Sequence, residues 1–251
     1  MFRTTLVVVG LFFGSPALAC SVIESYRVPT NLELTTQAKL IMLGKVEGGT
    51  PMGDGSPGTM QLTVRPLTAL KGALPDGPLV LEGLALAPER FSVLSNPYEL
   101  EGAHPLSYIG GCIRYMFPVG TTALFFLQQR DGKWAPAGGP FSRWAEDVFD
   151  PQSPWPKLVA LYVRVAAIPE AERKTLLETE RDRLLAEADD PVAHLMALDI
   201  SRQLAGPNKP WNEVVGKIPG AGEEASADAA AEAVMDAVDA QEKKRMERRK
   251  R

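Results

Sequence analysis

The chain has 251 residues, of which 45% are hydrophobic and 23% charged. That suits a globular protein of one or two domains and excludes a collagen, a wholly disordered chain and a polytopic membrane protein. Lysine and arginine number 27 against 31 acidic residues, a net charge of −4 that argues against a general nucleic-acid binder. Two cysteines and two histidines are too few for a metal site rich in either.

Residues 1–19 read as a secretory signal, with Arg3 as the positive end, Leu6 to Phe13 as the apolar core and Ala17-Leu18-Ala19 as the cleavage site. The apolar run from Thr4 to Phe13 is about half the ~20 residues that a membrane span requires. The mature protein is therefore expected outside the cytoplasm, periplasmic or secreted, without a transmembrane anchor. Cleavage leaves Cys20 as the first residue, open to two explanations: the lipid-carrying cysteine of an envelope lipoprotein, or half of a disulfide. Lipoprotein signals usually place Leu three residues before the cysteine, where this chain has Ala17. Parity also speaks for the disulfide, because lipidation would strand Cys112 as an odd thiol in an oxidising compartment.

Residues 20–37 look polar and irregular, broken by Pro29. Lys39 to Val46 reads as a buried strand with a glycine bend, and Met60 to Val64 as its hairpin partner. Between them, residues 48–58 hold five glycines, Pro51 and Pro57, the composition of a loop. Leu67 to Lys71 reads as a short turn or helix stopped by Gly72, and Leu79 to Leu81 as a third strand. Residues 84–111 form a long connection with at most one short element. Thr121 to Leu127 is the strongest strand signal, and Asp131-Gly132 turns it into a strand beginning at Lys133-Trp134. Four or five short strands in ~120 residues suggest a small closed barrel or sandwich.

Beyond Pro151 the period becomes helical. Leu158, Leu161, Tyr162 and Val165 mark one helix, and Pro169 opens a second with Leu176, Leu177, Leu184 and Leu185 on one face. Asp190-Pro191 caps a third, which Gly206-Pro207 stops. The fold class expected is α+β: a barrel over residues 20–148, a small helical domain over 151–206, a linker over 207–222 and a charged helical tail over 223–251.

Motifs that carry chemistry are scarce in this chain. G-x-S-x-G, H-E-x-x-H, C-x-x-C and a phosphate-binding glycine loop are all missing, so no enzyme, metal or cofactor is expected. His104 is read as a loop residue beside an oxidised Cys112, and His194 as a partly exposed helix position. Met52, Gly53, Asp54 and Gly55 form a candidate binding loop, though one carboxylate makes no calcium site. Lys243, Lys244, Arg245, Arg248, Arg249, Lys250 and Arg251 crowd the C-terminus. They are read chiefly as a solvated helix end, with weak contact to an anionic envelope surface as the alternative. Phe125, Phe126 and Trp134 are assigned to the core, while Trp144 and Trp155 are expected to seal the barrel against the first helix.

One ordered set of fragments is more specific. Cys20-Ser21 follows the cleavage site, and then come Leu40 to Val46, Leu70-Lys71-Gly72, Gly110-Gly111-Cys112, Phe117-Pro-Val-Gly120 and Thr122 to Trp134. Over residues 20–145 this resembles the netrin-like module of tissue inhibitors of metalloproteinases and their bacterial relatives. The resemblance implies an OB-type barrel whose N-terminal cysteine pairs with Cys112. In the animal inhibitors the first cysteine's amine and carbonyl chelate the target's zinc and the next side chain enters the specificity pocket, here Cys20 and Ser21. Val22 stands where that family has a further cysteine. The expectation is an exported, non-enzymatic binding protein with an unidentified protein partner. The alternatives are a metalloproteinase inhibitor acting through Cys20 and Ser21, and a lipoprotein attached through Cys20.

Overall fold

A computed structural model describes residues 22–51, 60–87, 95, 100–108 and 112–215. The protein is α+β: among the described residues, one eight-stranded sheet is joined by five helices.

Two strands organise the sheet. β1 (Leu40–Pro51) pairs antiparallel with β6 (Thr122–Arg130), Leu40 opposite Leu127 and Lys45 opposite Thr122. Successive side chains of a strand point to opposite faces, and here both faces are covered. Leu40, Met42, Val46, Ala123, Phe125 and Leu127 enter one core, while Ile41, Leu43, Leu124 and Phe126 enter the other. That double burial is why both strands read as continuous apolar runs in the sequence.

β2 (Leu62–Lys71) flanks β1 on its other edge, and β3 (Leu79–Leu81) pairs with the start of β2. β2 reaches through the segment expected as a turn or helix, with Ile41 opposite Lys71 and Gly44 opposite Pro66. Pro66 is tolerated because it sits at a register irregularity, beyond the stretch paired with β3. Gly72 ends the strand at φ 78°; a Cβ there would lie 2.5 Å from the Lys39 carbonyl oxygen. β1 in turn runs through Gly48 and Gly49, which pair with Thr63 and Leu62, so the expected loop is shorter than its composition suggests.

Three short strands complete the sheet: β4 (Leu84–Leu86), β5 (Met116–Pro118) and β8 (Ala145–Asp147). β4 runs parallel to both the end of β1 and β5, and β8 pairs with β6. β7 (Lys133–Pro136) returns from β6 through the expected tight turn, with Asp131 and Gly132 at φ 50° and 74°. Along the path β3-β2-β1-β6-β7 the two end strands come within 8 Å of each other without hydrogen bonding, so the sheet is open.

The helices lie against the Ile41–Phe126 face. α2 (Pro154–Ala167), α3 (Glu170–Leu185) and α4 (Pro191–Leu204) match the helical periods, and Asp190 caps α4 by accepting from Val192 N–H. Trp155, Leu158, Tyr162, Ala197 and Ile200 join the core that holds Leu124 and Phe126, so sheet and helices share one apolar interior. Trp155 sits on Phe126 as expected, with ring centroids 5.5 Å apart. Trp144 instead lies across the sheet, against Phe117 and Phe125. α1 (Asn31–Gln37) replaces the irregular segment expected before β1. Its Thr30 side chain accepts from Glu33 N–H while the Glu33 carboxylate accepts from Thr30 N–H, a reciprocal capping box. Within the expected linker lies α5 (Trp211–Val215), where Trp211 stacks on Phe141 at 4.0 Å.

Candidate functional site

Two polar regions compete for attention, one sealed and one open. The sealed one gathers on β8. Asp147 accepts from Arg114 Nη2 at 2.8 Å, from Ser95 N–H at 3.0 Å and from His104 Nε2 at 3.1 Å. Leu106 N–H donates to His104 Nδ1, so the ring proton resides on Nε2 and points at Asp147. Glu146 accepts from Ser95 Oγ at 2.5 Å and from His104 N–H at 3.1 Å. Arg143 lies over the Trp155 ring at 4.4 Å, with its Nε 3.4 Å from Glu146 Oε1 but misaligned for a hydrogen bond.

Burial, then the Arg114 charge, presses His104 below the ordinary histidine value of 6.5 against the raising pull of Asp147 and Glu146. Burial alone would push the Asp147 carboxyl up. The Arg114 guanidinium and the His104 ring outweigh it and hold that carboxyl well below the usual carboxylate range. Every member of this cluster is buried. The Ser95 hydroxyl proton goes to Glu146, not to histidine, and both His104 nitrogens are occupied. The arrangement pins Ser95 and His104 to β8. It does not activate a nucleophile.

The open region is the seam between β3 and β7. There a groove of about 1000 Å³ runs between Val80, Leu81 and Glu82 on one wall and Lys133, Trp134, Ala135 and Pro136 on the other. That is the upper end of the volume of ligand sites. Ile113, Arg114 and Tyr115 line it, as do Gly139 and Pro140. Val80 is 56% exposed, and Trp134 is half-buried, packed on one side against the core that holds Phe125 as expected. Arg130 and Lys133 line the groove and are exposed, as is Glu82.

Cys112 lies beside this groove, directly before Ile113, which lines it. It lies at φ 56°, and Phe141, at φ 54°, donates its N–H to the Cys112 carbonyl at 2.5 Å. Two non-glycine residues in the left-handed region, joined by a hydrogen bond, mark a locally strained corner. Tyr108, Phe141 and Trp211 stack in succession across it, at 5.4 Å and 4.0 Å. Tyr26 ties the same corner down by donating to the Pro140 carbonyl at 2.5 Å, and burial pushes its hydroxyl pKa up to about 12. Among the described residues there is no free cysteine.

Of the residues singled out in the sequence, Cys112 falls beside the groove. Cys20 and Ser21, the loop Met52, Gly53, Asp54 and Gly55, and the tail cations from Lys243 to Arg251 lie outside the described residues. The chain leaves the described structure at Pro51 and re-enters at Met60, which lines the groove. His104, expected as an ordinary loop residue, is buried in the cluster, while His194 is exposed on α4 as expected. Arg114, Arg143, Glu146, Asp147, Arg130 and Lys133 carried no sequence motif. The one available signal was Arg130-Asp-Gly-Lys133, which puts two cations either side of a hairpin turn. Among the described residues no group of three or more His, Cys, Asp or Glu could hold a metal ion, and no helix is long and apolar enough to cross a membrane. The chain matches none of the family models, curated proteins or solved structures with which it was compared.

Proposed function

We propose that the protein is an exported, non-enzymatic binding protein of the bacterial cell envelope. On this reading the sheet is an OB-like barrel left open between β3 and β7, stapled by a Cys20–Cys112 disulfide. The seam groove receives a protein partner. The observation that carries the proposal is the contrast between the two polar regions. The charged cluster on β8 is buried and, Arg143 apart, hydrogen-bonded within itself, meeting the groove only through Arg114, whereas the groove combines exposed Val80, half-buried Trp134 and exposed cations around a large concave volume. Exposed apolar surface rimmed by polar groups is what recognition sites present. The cysteine staple is supported by the absence of a free thiol at Cys112 and by the chain's having only one other cysteine. It would fix the mature N-terminus beside the groove.

The test places a photo-crosslinking amino acid at Val80 or Ile113, and for control at Leu198, which is 57% exposed on α4. Irradiation follows in the envelope of cells making the full chain. A discrete adduct from the two groove positions and none from Leu198 supports the reading. No adduct at either groove position, or the same adduct from all three, overturns it.

A further inference from the structure

The helices carry an apolar surface that no described residue covers, and it shares no residue with the seam groove. We propose that this surface seats the chain's own C-terminal segment. Residues 234–245 would lie along α4 in the antiparallel sense, with Val238 on Leu198 and Arg245 beside Asp189.

Where α3 passes into α4, a concavity of about 460 Å³ is lined by Ala188, Asp189, Pro191, His194, Leu195 and Leu198. Leu198 is 57% exposed and Leu195 half-buried, while their neighbours Met196, Ala197 and Ile200 enter the core. Pro191, Leu195 and Leu198 recur at the spacing of one helix face, so they form a second apolar stripe, turned away from the core. A second helix packs on such a stripe by setting its own side chains between these. The Pro191 end of the stripe is acidic. Asp182 and Glu187 are paired with Arg181 and Arg183, whereas Asp189 is exposed and has no salt bridge to a described residue. From Glu170 to Asp190 the chain holds eight acidic residues against four basic ones.

The occupant must therefore offer apolar side chains and, about two turns further on, a cation. Pro191 and Leu198 are seven residues apart, about 10 Å along a helix, with Asp189 just beyond. Residues 216–251 lie outside the described structure, and their sequence has that pattern. Val234, Met235 and Val238 are followed by Arg245, seven residues after Val238 and hence on the same face of a helix, again about 10 Å away. Residues 243–251 hold seven cations and one acid, the complement of the acidic excess on the hairpin. Only the antiparallel sense brings these cations to Asp189 while Val238 rests on Leu198. The parallel sense would set Arg245 near residue 205, beside the partly exposed Arg202. Reach is no obstacle: α5 starts seven residues after α4 ends, and the twenty-three residues from Val215 to Val238 can span up to about 80 Å. The tether also gives this segment an effective concentration that a separate protein of equal fit would lack.

The test places a photo-crosslinking amino acid at Leu198 and, in a second variant, at His194, both exposed, in the purified full mature chain. Links are located by peptide mass spectrometry, and mixing with isotope-labelled chain separates links within one molecule from links between two. The expected links are internal, from Leu198 to residues around Val238 and from His194 to residues nearer Arg245. An internal link adds no mass, which agrees with Leu198 giving no partner adduct. The yield from His194 should fall at least about tenfold in Val238→Asp, the order expected for losing one buried valine. It should also fall as salt rises from about 50 to about 500 mM. Asp189→Lys and Arg245→Glu should each lower it, and the two together should restore it, which misfolding could not do. Circular dichroism checks the fold of each variant.

No link from either position to residues 231–251, or the two links in the reverse order, overturns the inference. So does an undiminished yield in Val238→Asp, or charge changes at Asp189 and Arg245 that fail to compensate. Links only between differently labelled molecules overturn it too, and would make the surface a contact with a second copy of the chain.

Discussion

Asp147→Asn is the most informative single substitution in the sealed cluster. The carboxylate is held by Arg114 at 2.8 Å, His104 at 3.1 Å and Ser95 N–H at 3.0 Å, all away from solvent. Asparagine keeps the shape and removes the charge, leaving the Arg114 guanidinium buried against a neutral amide. Breaking one partner of a buried ion pair costs about 3–5 kcal/mol, a large share of the ~5–15 kcal/mol by which domains are stable. With a urea slope near 2 kcal/mol per molar, the unfolding midpoint should fall by about 2 M at neutral pH. The double variant Arg114→Met/Asp147→Leu should lose less than the sum of its two single changes, because removing both charges leaves neither stranded. A loss below about 1 kcal/mol for Asp147→Asn, or strict additivity in the double variant, would refute the claim that this cluster holds Ser95 and His104 on β8.

The same cluster gives a pH dependence. His104 is pressed below 6.5 in the folded protein, so between its folded value and 6.5 the unfolded chain binds more protons. Its stabilising contribution is complete above about pH 6.5 and declines as pH falls below that, a slope that unfolding midpoints should lose in His104→Gln. Thr30→Ala removes the cap of α1 and should cost about 1 kcal/mol, read by thermal or urea unfolding. Tyr162 donates to the buried Asp199 carboxylate at 2.6 Å, and burial, then the Asp199 charge, drives its own pKa far up. Tyr162→Phe should destabilise by about 1.5–3 kcal/mol in the same assay, the range for hydrogen bonds to charged groups. On the proposed Cys20–Cys112 pairing, Cys112→Ser should cost on the order of 4 kcal/mol for opening a loop of about ninety residues, and reductant should then have no further effect on the melt.

Much of the architecture is legible because its elements are long and periodic. β1 and β6 announce themselves as unbroken apolar runs, the Asp131-Gly132 turn has positive φ at both positions, and α2 to α4 carry clear helical spacing with Pro154 and Asp190 at their starts. α1 was legible in principle, since Thr30 and Glu33 stand at capping-box spacing; the polar residues around them masked it. β5 and β8 have three residues each, too few for a period. Glu146 and Asp147 look like exposed loop residues, and they are buried in a strand because Arg114, His104 and Ser95 arrive from segments 33 to 52 positions away. The groove is hidden for the same reason. Trp134 next to a hairpin turn looks like core and does pack against it; that it also lines a groove reflects β7 and β3 failing to pair, a relation between strands more than fifty residues apart.

The most direct measurement is the intact mass of the mature protein from its native envelope, before and after reduction. The account predicts a chain beginning at Cys20 whose mass rises by two hydrogens on reduction, placing the N-terminus at Cys112, beside the groove. A mass that retains residues 1–19, or one heavier by a diacylglycerol and an acyl chain with Cys112 as a thiol, would contradict it.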